Sequence, residues 1–242
     1  MTTPATPTIG YISANNRWGK HYDEFMKLVP DGVKVQIEGL GLYTTHLTEL
    51  AGKTDVHVAK TTELAAANDW VGIAVMGAPV EVQNPDLPRK IREAVSIPVS
   101  TALDSGAAAL RALGTRKALL LCPFDARLKG MLKENLAGKG VEAMLPAESF
   151  ENIGEGAAQT PEQLYEMAKS ELAKAPGAQA IYFQGGPMDP LSILQELEDD
   201  LGVPVIASNP TMLWRVSTQV GLKFSIPGKG ALLREWPGDV AI

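Results

Sequence analysis

An internal repeat constrains the fold of this 242-residue chain more than any other feature of its sequence. Three short segments recur in the same order about 106 to 109 residues further along the chain, and a repeat at a fixed spacing indicates a duplicated structural unit. The matching pairs are residues 8–12 with 117–121, 71–79 with 180–187, and 96–101 with 202–208. The repeat therefore predicts two similar halves.

Short β-rich runs alternate with helical patterns in both halves, as in βαβ units around a parallel sheet. The predicted strands are residues 8–13, 33–38, 71–76, 97–101, 118–122, 141–144, 180–183 and 203–207. The predicted helices are residues 55–68, 88–95, 104–113, 126–138, 160–174, 190–201 and 212–220. This pattern predicts an α/β fold of two pseudo-symmetric lobes, each a parallel sheet flanked by helices, with a ligand cleft between them. We assign residues 1–103 and 218–242 to the first lobe and residues 104–217 to the second.

The net charge and the rare residue types exclude several classes of function. A formal net charge of −6 disfavours nucleic acids and anionic membranes as partners, because both select for clustered Lys and Arg. The single cysteine, Cys122, excludes an internal disulfide framework, and the three histidines have no metal-site spacing. We therefore predict no metal site. The polar start and the short apolar runs predict a soluble, cytoplasmic protein without a membrane span.

Polar and glycine-rich segments follow the predicted strands of both halves. Ligands of open parallel sheets bind beyond the carboxyl ends of the strands, where loops and helix N-termini converge. These segments are residues 13–16, 77–79, 101–105, 122–124, 184–186 and 208–210. Glycine at such turns lets the backbone expose N–H groups to a ligand, and helix N-termini favour an anion. We therefore predict one cleft, formed by both halves, that binds a small carboxylate.

Seven short motifs give the chain a family resemblance. They are Pro-Thr-Ile-Gly at 7–10, Gly-Leu-Gly-Leu at 39–42, Leu-Arg-Ala-Leu-Gly at 110–114, Gly-Gly at 185–186, Gly-Val-Pro-Val at 202–205, Ser-Asn-Pro at 208–210 with Trp214, and Pro-Gly-Lys-Gly at 227–230. In this order they resemble the arylmalonate decarboxylase and maleate isomerase branch of the aspartate/glutamate racemase superfamily, from Pro7 to near Trp236. The resemblance implies two pseudo-symmetric α/β lobes, no cofactor, and chemistry at the carbon next to a carboxylate. In that chemistry, hydroxyl and backbone N–H donors hold an enediolate.

The resemblance fails at the residues that carry the family's chemistry. Gly77 and Gln184 occupy the two positions at which cysteine thiols move the proton or attack the substrate. Ala78 and Pro79 replace a pair of hydroxyl residues, and Phe124 replaces a tyrosine. A glutamine neither ionises nor acts as a nucleophile at neutral pH. Racemisation by two opposed cysteines is therefore excluded on this alignment, and thiol-dependent maleate isomerisation is disfavoured.

The predicted substrate contacts are amides and backbone N–H groups. We expect Gln184, Gly185 and Gly186 to hold a carboxylate or carbonyl, although a tight turn with a polar tip is the alternative. Asn15 and Asn16 follow the first strand and are expected to bind a carboxylate, with an Asx turn as the alternative. The full set of predicted substrate-binding residues is Asn15, Asn16, Leu40, Tyr43, Gly77, Ala78, Pro79, Phe124, Gly185, Gly186 and Asn209.

Asp104 and Gln184 are the predicted catalytic residues. Asp104 is the one carboxylate that we place near the cleft, so it is the candidate general acid or base; the alternative is an N-cap of the helix that follows. Ser208 or Asn209 is predicted to cap the last long helix, and Asn209 also to bind the ligand. Leu40, Tyr43 and Phe124 are expected to give the pocket apolar walls, although core packing explains them equally well.

Three further residues have two interpretations each. His21 and Glu81 follow strand ends closely enough to reach the cleft, but both are also typical of a solvated surface. Cys122 is interpreted as a small buried hydrophobic residue rather than a reactive thiol, because no basic residue adjoins it in sequence.

The predicted function is that of a cofactor-independent lyase or isomerase. It would act at the carbon next to a carboxylate of a small organic acid or diacid, most like arylmalonate decarboxylase. Two alternatives remain open. The first is a catalytically silent paralogue that binds a carboxylate or a partner protein, and the second is hydrolysis or dehydration of a small carbonyl compound on the same scaffold. The oligomeric state is left open between a monomer and a small homo-oligomer.

Overall fold

The computed structural model describes residues 5–147, 150 and 152–242. Its strands are β1 (Thr8–Ser13), β2 (Lys34–Gly39), β3 (Trp70–Val75), β4 (Val99–Thr101), β5 (Lys117–Leu121), β6 (Glu142–Met144), β7 (Ala180–Phe183) and β8 (Val205–Ala207). Its helices are α1 (Lys20–Met26), α2 (Thr54–Ala67), α3 (Ala78–Gln83), α4 (Leu87–Ala94), α5 (Ala102–Ala112), α6 (Ala126–Gly138), α7 (Ile153–Ala157), α8 (Pro161–Ala173), α9 (Leu194–Leu201), α10 (Ser208–Gln219) and α11 (Gly230–Glu235). A 3₁₀ helix spans Leu47–Leu50.

The strands form two four-stranded parallel sheets with the same topology. The order is β2-β1-β3-β4 in the first sheet and β6-β5-β7-β8 in the second. Each central pair runs in register to its carboxyl end, where Ile12 pairs with Val75 and Leu121 with Phe183. The predicted α/β fold of two similar lobes is therefore confirmed. All eight predicted strands are present, each shifted by two residues or fewer at its ends.

Two buried tyrosines connect the lobes. Tyr11 of β1 donates its hydroxyl proton to the carbonyl of Asn209 in α10, at 3.1 Å. Tyr182 of β7 donates to the carbonyl of Ala102 in α5, at 3.0 Å. Burial raises the pKa of both hydroxyls well above the usual value, so both stay protonated donors. The two hydrogen bonds have equivalent places in the repeat, and each links a central strand of one sheet to the helix after the other.

The short helices were not predicted from the sequence, and three longer helices begin at residues other than the predicted ones. α1, α3, α7 and α11 were all missed, as was the 3₁₀ helix. α5 begins at Ala102 rather than 104, because the Thr101 side chain accepts a hydrogen bond from the N–H of Asp104 and thereby caps the helix. α10 begins at Ser208 rather than 212, and α9 at Leu194 rather than 190.

The C-terminal segment contacts both lobes. The Glu198 carboxylate of α9 accepts a hydrogen bond from the N–H of Ala231 in α11, at 2.7 Å, whereas Phe224 lies near Gly32 of the first half. The assignment of residues 218–242 to the first lobe therefore stays a prediction. No helix among the described residues is long and apolar enough to cross a membrane.

Candidate functional site

A cavity of about 90 Å³ lies where the carboxyl ends of the two sheets converge. One water needs on the order of 10–15 Å³ of such volume, so the cavity has room for a small organic acid. Its walls are Ser13, Ala14, Asn15, His21, Tyr22, Tyr43, Leu47, Leu50, Met76, Gly77, Pro79, Val80, Phe124, Ile153, Gln184, Gly185, Gly186, Pro187, Ser208 and Asn209. Both lobes contribute, as the strand-end rule predicts.

The turn after β7 supplies an amide and two backbone N–H groups. Gln184 is fully buried, and its own N–H continues the ladder by donating to the carbonyl of Leu121 at 2.8 Å. Its Nε2 lies 3.4 Å from Ser208 Oγ, whereas its Oε1 has no hydrogen-bond partner among the described residues. Gly185 has φ of 117°, a conformation that favours glycine. No hydrogen bond within the described chain uses the N–H groups of Gly185 and Gly186. A bound anion can satisfy these donors.

Ser208 and Asn209 form the first turn of α10. The helix is preceded by Ala207, which makes no side-chain cap, so the prediction that Ser208 or Asn209 is the N-cap was wrong. Both residues instead lie inside the first turn and line the cavity. The side-chain amide of Asn209 makes no hydrogen bond within the described residues. The N–H groups of a first helical turn have no intrahelical acceptor, and the helix dipole there favours negative charge.

The end of β1 adds a second polar wall. Asn15 Nδ2 donates to the Tyr43 hydroxyl at 3.2 Å, and Asn15 Oδ1 accepts from the N–H of Arg17 at 3.0 Å. Asn15 therefore forms the Asx turn and also lines the cavity. Because the Tyr43 hydroxyl accepts from Asn15, its own proton is free to point at a ligand. Ser13 Oγ and the Tyr22 hydroxyl lie 3.3 Å apart.

The turn after β3 gives the cavity an apolar wall. Pro79 and Val80 lie in α3, and both are buried. Gly77 has φ of 89°, and a Cβ built at this glycine would have no atom within 4 Å. Phe124, which is 2 % exposed, closes the wall from the second lobe. The remaining apolar wall residues are Leu47, Leu50, Met76 and Ile153.

Three predicted binding residues do not line the cavity. Ala78 is fully buried behind it, as the first residue of α3. Leu40 is buried in the first lobe's hydrophobic core and contributes its carbonyl to Lys60 Nζ. Asn16 is exposed and packs over Gly39, at which a Cβ would lie 2.6 Å from Asn16 Cα. Beside Ala78 and Asn16, the sequence neighbours Gly77, Pro79 and Asn15 line the cavity, whereas neither neighbour of Leu40 does.

Asp104 lies in a separate buried ion cluster and does not line the cavity. Its carboxylate pairs with Lys139 Nζ at 2.9 Å and with the Arg92 guanidinium. Burial alone raises the pKa of Asp104, but the Lys139 and Arg92 cations outweigh it and leave the pKa lowered. The position offers no support for a general acid or base in the cleft. Its interpretation as an N-cap was also wrong, since Thr101 caps the helix.

Glu81 belongs to the same cluster and is not a surface residue. It is 2 % exposed, and its carboxylate accepts from the N–H of Leu103 at 3.2 Å and lies 3.4 Å from Lys139 Nζ. Burial, together with the nearby charge of Asp104, raises the pKa of Glu81 to about 6, against the opposing effect of Lys139. The cluster joins α3 and α5 of the first half to the end of α6 in the second.

The cavity contains no thiol among its described walls. Cys122 is 4 % exposed and lies behind the cavity rather than in its surface. Burial raises the pKa of this thiol to about 12, so it is not ionised at neutral pH. The interpretation of Cys122 as a small buried hydrophobic residue agrees with this environment.

His21 lines the cavity and is therefore a better candidate for contact with a ligand than the sequence indicated. Burial lowers the pKa of its imidazole to about 4, with a smaller opposing effect of Asp23. The ring is therefore neutral at pH 7. Tyr22 and Ser208 also face the cavity, and neither was predicted as a substrate contact. Tyr22 gave no sequence signal, because α1 follows Gly19 without a side-chain cap.

Comparisons with known proteins agree on the fold. A family model described as arylmalonate decarboxylase matches residues 17–233. A liganded mutant of arylmalonate decarboxylase superposes with a TM-score of 0.80 at 23% identity, covering 95% of this chain and 100% of the other. A maleate cis-trans isomerase mutant from Nocardia farcinica, which holds a covalent succinylcysteine intermediate, gives a TM-score of 0.76 at 18% identity, covering 95% and 98%.

One curated relative also matches in sequence. Maleate isomerase of Geobacillus stearothermophilus is 27% identical over 127 residues, which are 51% of this chain and 49% of the relative. The matched region of this chain thus covers about half the length of that relative. The solved structures, at their low identity, establish the shared fold, and the family model extends the match over most of this chain.

Proposed function

This chain belongs to the arylmalonate decarboxylase family, and from that premise we propose that it is a cofactor-independent lyase that removes one carboxylate from a small malonate-type diacid. The observation that carries the proposal is the two-sided cavity. Free donors at the N–H groups of Gly185 and Gly186 and at the Asn209 amide line the cavity beside the buried Gln184 amide, and Pro79, Val80 and Phe124 give it an apolar wall.

The donors of the second lobe would hold the carboxylate that stays. Gly185 and Gly186 line the cavity together with Ser208 and Asn209 at the start of α10. When the second carboxylate leaves, the electron pair of the broken C–C bond enters the remaining group, which becomes an enediolate with more charge on its oxygens. Preorganised donors bind this state more strongly than the substrate, and that difference lowers the barrier.

The apolar wall would face the carboxylate that departs. Carbon dioxide is uncharged, so an apolar surface formed by Val80, Leu50 and Phe124 favours the product over the charged carboxylate. The products balance as carbon dioxide and a monocarboxylate whose α-carbon has gained one proton. That proton does not come from Asp104, which lies outside the cavity, or from Cys122, which stays a buried thiol.

A silent binding protein is the second candidate. The observation in its favour is that the described walls of the cavity contain no carboxylate and no thiol. A protein of this kind would use the same donors to bind a small carboxylate without turning it over.

The test is thermal stability in the presence of small mono- and dicarboxylates, including malonates and maleate. A ligand that binds only the folded state raises stability in proportion to the logarithm of its concentration over Kd. We expect a malonate to raise Tm and then to be converted by the wild type, with much slower conversion by Gln184→Ala. A raised Tm without conversion supports the silent binder. No shift with any compound contradicts both candidates.

A further inference from the structure

His21 differs in chemistry from every other polar side chain in the described cavity wall. The amides of Asn15, Gln184 and Asn209 exchange no proton near neutral pH, and the phenol of Tyr22 has its pKa raised by burial. Imidazole is the side chain that both accepts and gives a proton in this range. Of the described wall residues, His21 is therefore the one whose side-chain type ordinarily titrates near neutral pH, which suits it to supply a proton to a carbanion.

The His21 ring lies at the junction of the two lobes and close to the proposed carboxylate donors. A methyl group added at Gly186 would lie 3.0 Å from His21 Cδ2, 3.4 Å from His21 Nε2 and 3.1 Å from Asn209 Nδ2. The imidazole and the Asn209 amide thus approach the Gly186 backbone together, in space that only a glycine leaves open. Neither ring nitrogen of His21 forms a hydrogen bond within the described residues. Both remain available to a ligand.

The charges around His21 come from both lobes. On its own helix, Asp23 favours the protonated ring and Lys20 lies one residue before it. Asp189 of the second lobe and Lys229 of the C-terminal segment line the outer groove that His21 borders, and Glu24 of α1 and Lys27 just after it line the same groove. The Tyr22 hydroxyl lies on the cavity side, bonded to Ser13. Acidic and basic groups are mixed in this environment, so burial determines the charge of the empty site, and a dianion bound at Gly186 would change it.

We propose that His21 is the proton donor of this cleft: it takes up a proton when a malonate-type dianion binds beside Gly186, and it delivers that proton to the carbanion left by decarboxylation. The inference rests on the proposed function and names the residue that replaces the family's thiol. In the empty protein the buried ring is neutral. Two negative charges at contact distance favour the imidazolium, because charge interactions are strong in a site screened from water.

The step is balanced in atoms and charge. The dianion and one proton from solvent enter together, and His21 becomes imidazolium. The C–C bond breaks and carbon dioxide leaves. The electron pair of the broken bond stays with the α-carbon and forms the enediolate. An imidazolium N–H then transfers its proton to the α-carbon, which leaves neutral imidazole and a monocarboxylate. The cycle closes without an oxidant or a further reactant.

Proton uptake is measured without any need for turnover. Calorimetric titration of malonate near pH 6.5, in two buffers of different ionisation enthalpy, gives the number of protons bound with the ligand. We expect uptake of close to one proton by the wild type and almost none by His21→Gln, which keeps an N–H donor but lacks the imidazolium charge and therefore binds malonate about tenfold more weakly. Binding by the wild type without proton uptake would overturn the proposal.

Chemical rescue separates a catalytic role from a structural one. In His21→Ala, we expect kcat for a malonate that the wild type decarboxylates to fall by about 100-fold or more, with a small change in KM, and added imidazole to restore part of it. A fall that imidazole does not restore in a variant with wild-type Tm contradicts proton delivery by His21. Turnover that persists in His21→Ala would leave the proposed decarboxylation intact and overturn His21 alone. Proton uptake by a wild type that converts no malonate would contradict the decarboxylation and, with it, the delivery step.

Discussion

The turns after β3 and β7 occupy equivalent places in two lobes with the same sheet order, yet only the turn after β7 brings a polar side chain to the cavity. After β7 the chain places a buried amide at Gln184 and free N–H groups at Gly185 and Gly186 in the cavity. After β3 it places Gly77, Pro79 and Val80 there, with no side-chain donor. The duplicated scaffold thus gives one cleft with a polar and an apolar side.

The helices after β4 and β8 repeat this difference. Ser208 and Asn209 open α10 and line the cavity, whereas Ala102 and Leu103 open α5 and are buried away from it. The charged residue of this first turn, Asp104, instead pairs with Lys139 outside the cavity. A reaction that moves negative charge from a departing carboxylate to a retained one needs this asymmetry, because only donors at the retained group strengthen in the transition state.

The largest expected effect is at the polar turn. Replacing Gln184 with Ala removes the buried amide that bonds Ser208 at the cavity, and loss of one preorganised polar group lowers kcat/KM by about 100- to 1000-fold. The matched control is Gln195→Ala on helix α9, which lies outside the cavity and should leave kcat/KM unchanged. Steady-state kinetics on any malonate that is turned over provide the measurement. A fall of less than threefold in Gln184→Ala would remove the polar turn from the mechanism.

A hydroxyl on the apolar side should act in a different way. Val80→Thr places a hydrogen-bonding group against the departing carboxylate and stabilises the ground state, so we expect kcat to fall by roughly tenfold and KM to fall or stay level. Val82→Thr is the control, since Val82 lies in the same helix but does not line the cavity. If the two variants have equal kcat, the wall has no role in the chemical step.

The buried cluster behind the apolar wall predicts a pH-dependent stability. The pKa of Glu81 is raised from 4.5 to about 6 in the folded state, so the folded protein binds the proton more tightly than the unfolded chain does. This contribution is present below about pH 4.5 and is lost as the pH rises through 6. Glu81→Gln does not titrate. Its free energy of unfolding relative to wild type should rise by about 1–2 kcal/mol between these pH values.

Denaturant unfolding at a series of pH values measures this difference. Two parallel curves would mean that Glu81 ionises at the same pH in the folded and unfolded states. The wild-type and variant proteins share every other titrating group, so the comparison isolates Glu81 from the Asp104 and Lys139 charges beside it, apart from their coupling.

The smallest expected effect is at the only thiol. Cys122→Ala should change kcat/KM by less than about twofold, because the thiol does not line the cavity, and should lower stability by about 1 kcal/mol through lost packing. Kinetics before and after treatment of the wild type with a thiol-alkylating reagent check the same point. A large loss of activity in the variant would mean that Cys122 takes part in the reaction.

The repeat in the sequence was sufficient to predict the architecture. Parallel strands buried on both faces are continuous apolar runs, such as β5, so their number and order could be read directly. The strand-end rule then brought Asn15, Gln184 and Asn209 to one cavity. These positions follow from local sequence and topology alone.

The remainder of the site depends on tertiary contacts that local patterns do not encode. Asp104 was expected in the cleft, but Lys139 at the end of α6 pairs with it and makes burial in the interior favourable. His21 and Tyr22 reach the cavity through α1, a helix of seven residues that begins without a capping side chain. Neither feature leaves a periodic or capping signal in the sequence.

The most direct test of the two-sided cleft is the product formed from an arylmalonate in deuterated water. Incubation of the wild type with phenylmalonate, followed by proton and carbon NMR, reports carbon dioxide release and the label at the α-carbon together. We expect carbon dioxide and phenylacetate in equal amounts, with one deuterium at the α-carbon and much slower formation by Gln184→Ala. Unchanged substrate, in a sample where it raises the Tm of the protein, would contradict decarboxylation and identify the cleft as a binding site only.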